Sequence, residues 1–104
     1  MIVEERIYTL HPGGVPKYMK LYEDEGFAVQ EPILGNLVGL YFTDFGPLNQ
    51  IIHMWGYDSH EERTKRRAKL AASKEWQAFA AKIRPLIITQ ENKALIPAPW
   101  SPVK

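Results

Sequence analysis

The sequence predicts an α+β domain of ferredoxin-like βαββαβ order, in which a four-stranded antiparallel sheet carries both helices on one face. Two observations predict it. Runs rich in β-formers alternate with runs of helical spacing, and Pro and Gly breakers separate them.

"IVEERIYTL" (2–10) alternates and reads as the first strand, stopped by His11-Pro12-Gly13-Gly14. Val15, Tyr18, Met19, Leu21, Tyr22, Ala28 and Val29 then fall at helical spacing, and Pro16 suits a first turn. That helix is expected to end or kink near Pro32, with Gly35 and Asn36 as stop signals. "NLVGLYFTDF" and "NQIIHMWGY", parted by Gly46 and Pro47, predict an antiparallel hairpin. Ser59 followed by Glu62 has the spacing of a capping box and starts a helix that breaks near Ser73 and resumes through Trp76, Phe79 and Ile83 to Pro85. "LIITQENKALI" is the last strand, and Pro97, Pro99 and Pro102 keep the tail extended.

The 104 residues make one domain, 1–104, without repeat or linker. No apolar run approaches the ~18 residues a spanning helix needs, and "MIVEERIYTL" lacks the basic flank of a signal, so a soluble, cytoplasmic chain that contacts no membrane is expected. The absence of cysteine excludes disulfides, thiolate metal sites and thiol nucleophiles. A formal charge of +1 gives no general pull toward nucleic acid. No metal motif, phosphate loop or dinucleotide fingerprint is present, so neither metal nor cofactor is expected.

Alternation places Ile51, His53, Trp55 and Tyr57 on one side of the third strand and Ile52 and Met54 on the other. Sequence reasoning turns Ile52 and Met54 toward the helices and the aromatic side outward. In the first strand Arg6, Tyr8 and Leu10 share one side and Val3 and Ile7 the other, with Glu5 a misfit on the supposed helix side. An aromatic outer face left wet would forfeit several residues' worth of burial at roughly 1.5 to 3 kcal/mol each. A second copy packed about a two-fold axis is the expected cover, making the chain its own partner in a homodimer.

Arg6-Ile7-Tyr8-Thr9-Leu10 with Pro12-Gly13, the "LVGLYFTDFGPLNQIIHMWGYDS" block, Arg63 and Arg67, Trp76, and Pro97 with Ser101-Pro102 together resemble a NIPSNAP domain over nearly the whole chain. The resemblance implies the dimeric α+β barrel and little about activity. Animal members are tied to mitochondria and vesicle traffic through long N-terminal extensions, which are not expected here. Other families on that barrel are cofactor-independent monooxygenases, haem-degrading oxygenases and small isomerase or dehalogenase-type enzymes, an analogy of fold.

Two functional expectations follow. In the first, a small hydrophobic or anionic molecule binds between sheet and helices: Arg6 holds the anion with its fixed fork of donors, His53 and Tyr57 act as catalytic proton-transfer groups, and Tyr8, Tyr41 and Trp55 shape the pocket. Cofactor-independent oxygenation or isomerisation would be the reaction type. In the second, a non-catalytic dimeric interaction protein, Arg6 pairs with Glu4, Asp44 or Glu91 and His53 is structural. A cavity of roughly 300 Å³ or more beside His53 would favour the first expectation and a filled core the second.

Overall fold

A computed structural model describes residues 1–104. Strand β1 (Ile2–Leu10) leads into helix α1 (Gly14–Leu21), a wider π-helical turn (Tyr22–Gly26) and helix α2 (Phe27–Leu34). Strands β2 (Leu37–Phe42) and β3 (Gln50–Tyr57) form the hairpin; helices α3 (His60–Ala71) and α4 (Lys74–Ile83), a 3₁₀ turn (Arg84–Leu86) and strand β4 (Ile87–Leu95) complete the chain. The sheet order is β2-β3-β1-β4 and every pairing is antiparallel, as the βαββαβ reading predicts. No helix is long and apolar enough to cross a membrane.

The first helical stretch ends near Pro32 as expected: α2 runs to Leu34, and Gly35, at φ 89°, closes it with its N–H on the Glu31 carbonyl. An irregularity that the spacing did not predict falls at its middle, in the π turn. A Cβ on Gly26 would stand 2.9 Å from the Phe79 ring and 2.7 Å from Tyr22, so glycine lets this turn press against α4. The second helical segment follows its sequence signals. Ser59 accepts the Glu62 N–H at 3.1 Å and caps α3 where predicted; Ser73, read from the sequence as a break, accepts the Trp76 N–H at 3.2 Å and so caps α4. Only half of the capping box forms, because the Glu62 carboxylate is taken by Arg66 Nε at 2.8 Å.

The facing of the sheet is the main correction. Ile51, His53, Trp55 and Tyr57 are buried and point toward the helices: His53 reaches Tyr18 of α1, and Trp55 packs with Leu34 and Leu70. Ile52 and Met54 are half-exposed and lie on the uncovered face. With that inversion Glu5 ceases to be a misfit. It shares the open face with Val3 and Ile7 and stands opposite Lys93 of β4.

The core lies between sheet and helices in two clusters. One gathers Tyr8, Leu10, Ile51, Tyr18, Tyr22, Phe79 and Ile83, and the other Ile2, Trp55, Tyr57, Leu34 and Leu70. The open face carries Val38, Tyr41, Met54 and Leu95, partly roofed by the tail residues Ile96, Pro97 and Val103 over a shallow depression of about 530 Å³.

Candidate functional site

Alternation along β1 turns Glu4, Arg6 and Tyr8 inward, which carries two charged side chains under the helices. Glu4 is 3% exposed. One of its oxygens, Oε2, receives Arg6 Nη1 at 3.2 Å, Arg63 Nε at 2.9 Å, Arg63 Nη2, and Asn92 Nδ2 at 3.2 Å. The other, Oε1, has no partner in the protein. Burial alone would raise the Glu4 pKa, but the hydrogen bond from Arg63 and the charges of Arg6, Arg63 and Arg67 outweigh it and hold the carboxyl below its ordinary range.

Arg6 completes its contacts through Nε, which donates to the Tyr8 hydroxyl at 2.9 Å, with the guanidinium 5.7 Å from the Tyr8 ring centre. Arg67 descends from α3 one turn beyond Arg63 and makes no hydrogen bond; its Nη1 is buried without an acceptor. Burial, reinforced by the like charge of Arg6, lowers its pKa. Arg6, Tyr8, Arg67, Arg84 and Gln90 line one cleft, closed by Trp76, Ala80, Ile83 and Ile87, with a volume of about 160 Å³. This cleft holds a surplus of cation. The single buried acid nearby is spent on Arg6 and Arg63.

His53 lies outside the cleft. Its Nε2 is 2.9 Å from the Tyr18 hydroxyl, which has no other acceptor and therefore donates, leaving the proton of the neutral ring on Nδ1. The Tyr8 and Tyr22 rings stand 5.5 and 5.3 Å from it. Burial, with the charges of Arg6 and Arg67 added, pulls its pKa down to about 3. Trp55 Nε1 and the Tyr57 hydroxyl are likewise buried without partners. Burial, with the nearby Glu4 charge, raises the Tyr57 pKa.

The predicted site residues thus separate. Arg6 and Tyr8 line the cleft; His53 and Trp55 are enclosed in the core; Tyr57 borders a polar depression with Asp58, Glu62 and Arg66; and Tyr41 lies on the opposite face of the sheet. His53 itself lines none of these clefts; a shallow apolar one of about 370 Å³ opens beyond its neighbours Tyr22 and Leu40. Of the three acids the sequence offered Arg6, the structure selects Glu4, as their shared side of β1 allows. Sequence reasoning did not foresee that Glu4 also gathers Arg63 and Asn92, or that Arg67, Arg84 and Gln90 line the cleft. No cluster of three or more His, Asp or Glu side chains comes together that could hold a metal ion.

The NIPSNAP family model matches residues 3–102. A Dictyostelium discoideum protein, "Protein NipSnap homolog", is 33% identical over 94 residues, which are 90% of this chain and 41% of that one, so the chain spans about two fifths of the relative. The crystal structure of a NIPSNAP family protein from Agrobacterium tumefaciens is 51% identical, with a TM-score of 0.96, covering 99% of this chain and 98% of that one. An antibiotic biosynthesis monooxygenase superposes with a TM-score of 0.66 over 95% of this chain and all of its own, at 9% identity, which speaks to the fold alone.

Proposed function

This chain belongs to the NIPSNAP family, and we propose that it binds a small organic anion in the Arg6–Arg67 cleft. One observation carries the reading: a buried guanidinium nitrogen of Arg67 has no acceptor while it lines a cleft with Arg6 and Arg84. A guanidinium held in that state is costly unless an anion meets it. Trp76, Ile83 and Ile87 give the cleft an apolar wall for the rest of the molecule.

Oxygenation or isomerisation would require a base in contact with the ligand. The cleft offers Tyr8 and Gln90 but no free carboxylate or imidazole, so binding is favoured over turnover. The enclosed His53 supports the second reading, a non-catalytic dimeric interaction protein, in which His53, Trp55 and Tyr57 serve the core.

Benzoate against benzamide tests the anion reading by calorimetry. Benzoate is expected to bind and its neutral amide to fail, and Arg67→Ala should weaken benzoate by about tenfold to a hundredfold, the worth of a charged hydrogen bond. The same variant should leave stability within about 1 kcal/mol of the parent, since Arg67 has no partner to lose. Equal binding of acid and amide would refute it.

The homodimer is proposed on different residues from those the sequence suggested. Ile7, Ile52, Met54, Tyr41 and Val38 form the open face, and two such faces packed about a two-fold axis would bury them. Light scattering should give a mass about twice 12.0 kDa. Ile52→Glu, which sets like charges near the axis, should halve it; a parent already monomeric at micromolar concentration would rule the dimer out.

A further inference from the structure

The two edges of the sheet differ in chemistry. β4 presents Gln90, Glu91, Asn92 and Lys93, polar and charged side chains of the kind that keep an open edge from pairing with another chain. β2, at the other edge, reads Leu37-Val38-Gly39-Leu40-Tyr41-Phe42 and carries neither charge nor proline. It is hydrogen-bonded to β3 alone. Past a bulge between Leu37 and Gly39, its outward N–H and C=O groups have no partner in the chain.

Leu37 and Leu40 stand opposite Trp55 and His53 and so face the helix side, where they border the apolar groove of about 370 Å³ with Met19, Tyr22, Glu23 and Phe27. The π turn builds its far wall. In a regular helix Met19, Glu23 and Phe27, each four apart, would drift about 40° per step around the axis. The π turn absorbs an extra residue and keeps all three on the groove. Phe27, 39% exposed, stands edge to face with the Tyr22 ring, their centres 5.8 Å apart. Glu23 is the one charged residue of the lining. Its neighbours Asp24 and Glu25 are held by Lys20 and Lys82, whereas Glu23 has no ion pair, and no lysine or arginine occurs between Lys20 and Arg63 in the sequence.

We propose that this edge receives an extended peptide of another protein, which adds a strand to β2, lays alternate apolar side chains on Leu40 and Phe27, and sets a lysine or arginine on Glu23. Charge selects the occupant. A second copy would bring one of its own edges, and the helix-side residues there are Leu40 and Phe42 on β2 or Gln90, Asn92 and Ala94 on β4, none of them cationic. Its tail, interrupted by Pro97, Pro99 and Pro102, lacks the N–H groups for a ladder. The groove shares no lining residue with the Arg6–Arg67 cleft and lies on the opposite side of the sheet from the open face, so the docking is independent of both readings above.

Panning a phage-displayed library of random heptapeptides on the immobilised protein tests this. The parent is expected to enrich peptides that place apolar residues and a lysine or arginine at alternate positions, and Glu23→Lys, a change at an exposed residue, should enrich acids in place of the cations. By fluorescence anisotropy a synthetic peptide selected on the parent should bind Glu23→Lys about tenfold more weakly. Because the amides of an added strand point alternately to the ladder and to water, N-methylation of one alternate set should abolish binding and of the other should preserve it. Bound peptide should also slow amide hydrogen exchange in β2. No enrichment over a bare surface, equal binding to parent and Glu23→Lys, or β2 amides that exchange as fast with peptide as without would each overturn the proposal.

Discussion

Lowering the pH from 6.5 toward about 3 is expected to remove on the order of 4 kcal/mol of folding stability through His53 alone. The imidazole is 1% exposed. It is enclosed by Tyr8 of β1, Tyr18 of α1 and Tyr22 of the π turn, and the charges of Arg6 and Arg67 oppose a further cation there. Its folded pKa lies below the unfolded value. Between the two, the unfolded chain binds a proton that the folded chain refuses, so this contribution is intact above pH 6.5 and is lost as the pH falls toward about 3. Urea denaturation at fixed protein concentration should show stability falling by about 1.4 kcal/mol per pH unit through that window. His53→Gln, which keeps an acceptor for the Tyr18 hydroxyl but does not titrate, should be flat down to pH 4.5. Below that point Glu4 adds a loss of its own in both proteins, since its depressed pKa makes its contribution vanish only as acid protonates it. An unaltered slope in His53→Gln would dismiss the imidazole as the source.

The depressed pKa of His53 follows from the inversion of the sheet, and the inversion shows what the sequence could and could not reveal. Element order, the Ser59 cap, the break at Ser73 and the Gly35 stop were legible because each depends on local chemistry: a hydroxyl one position before a helix, a glycine where φ must be positive, a change of period. Which side of a strand faces the helices is not local. On β3 the sets Ile51-His53-Trp55-Tyr57 and Ile52-Met54 are both apolar enough for a core, so alternation fixes the partition and not its direction. Glu5 was the discriminating residue. A charge that fits neither core nor cap belongs on the open face, and with it Val3, Ile7, Ile52 and Met54.

The site was half legible for the same reason. Arg6 and Tyr8 could be paired from alternation, and Arg63 and Arg67 from helical spacing. That Arg63 meets Glu4 across 59 residues while Arg67 meets nothing depends on the angle at which α3 crosses the sheet, and no spacing in the sequence encodes it. Phe79 and Gly26 show the same limit: the close approach of the π turn to α4 needs a glycine, but nothing nearby in sequence says which helix it approaches.

Replacing Glu4 by leucine is expected to be among the most damaging single changes in the chain, at about 3 to 5 kcal/mol. Leucine fills much of the space, so the loss is electrostatic. Arg6, 12% exposed, and Arg63 both lose their carboxylate, and with Arg67 beside them three guanidinia face one another around an apolar side chain. Glu4→Gln keeps one oxygen for Arg63 and should lose about 1 to 3 kcal/mol. A cycle with Arg63→Met separates charge from packing. If the damage comes from stranded cations, the double variant Glu4→Leu/Arg63→Met should be at least about 1 kcal/mol more stable than the sum of the single changes predicts. The parent, the two singles and the double, unfolded by urea at pH 7, give the four values required. Strict additivity, or a Glu4→Leu protein within 1 kcal/mol of the parent, would mean that solvent reaches these arginines and that the surplus cation invoked to draw an anion into the cleft is already neutralised by water.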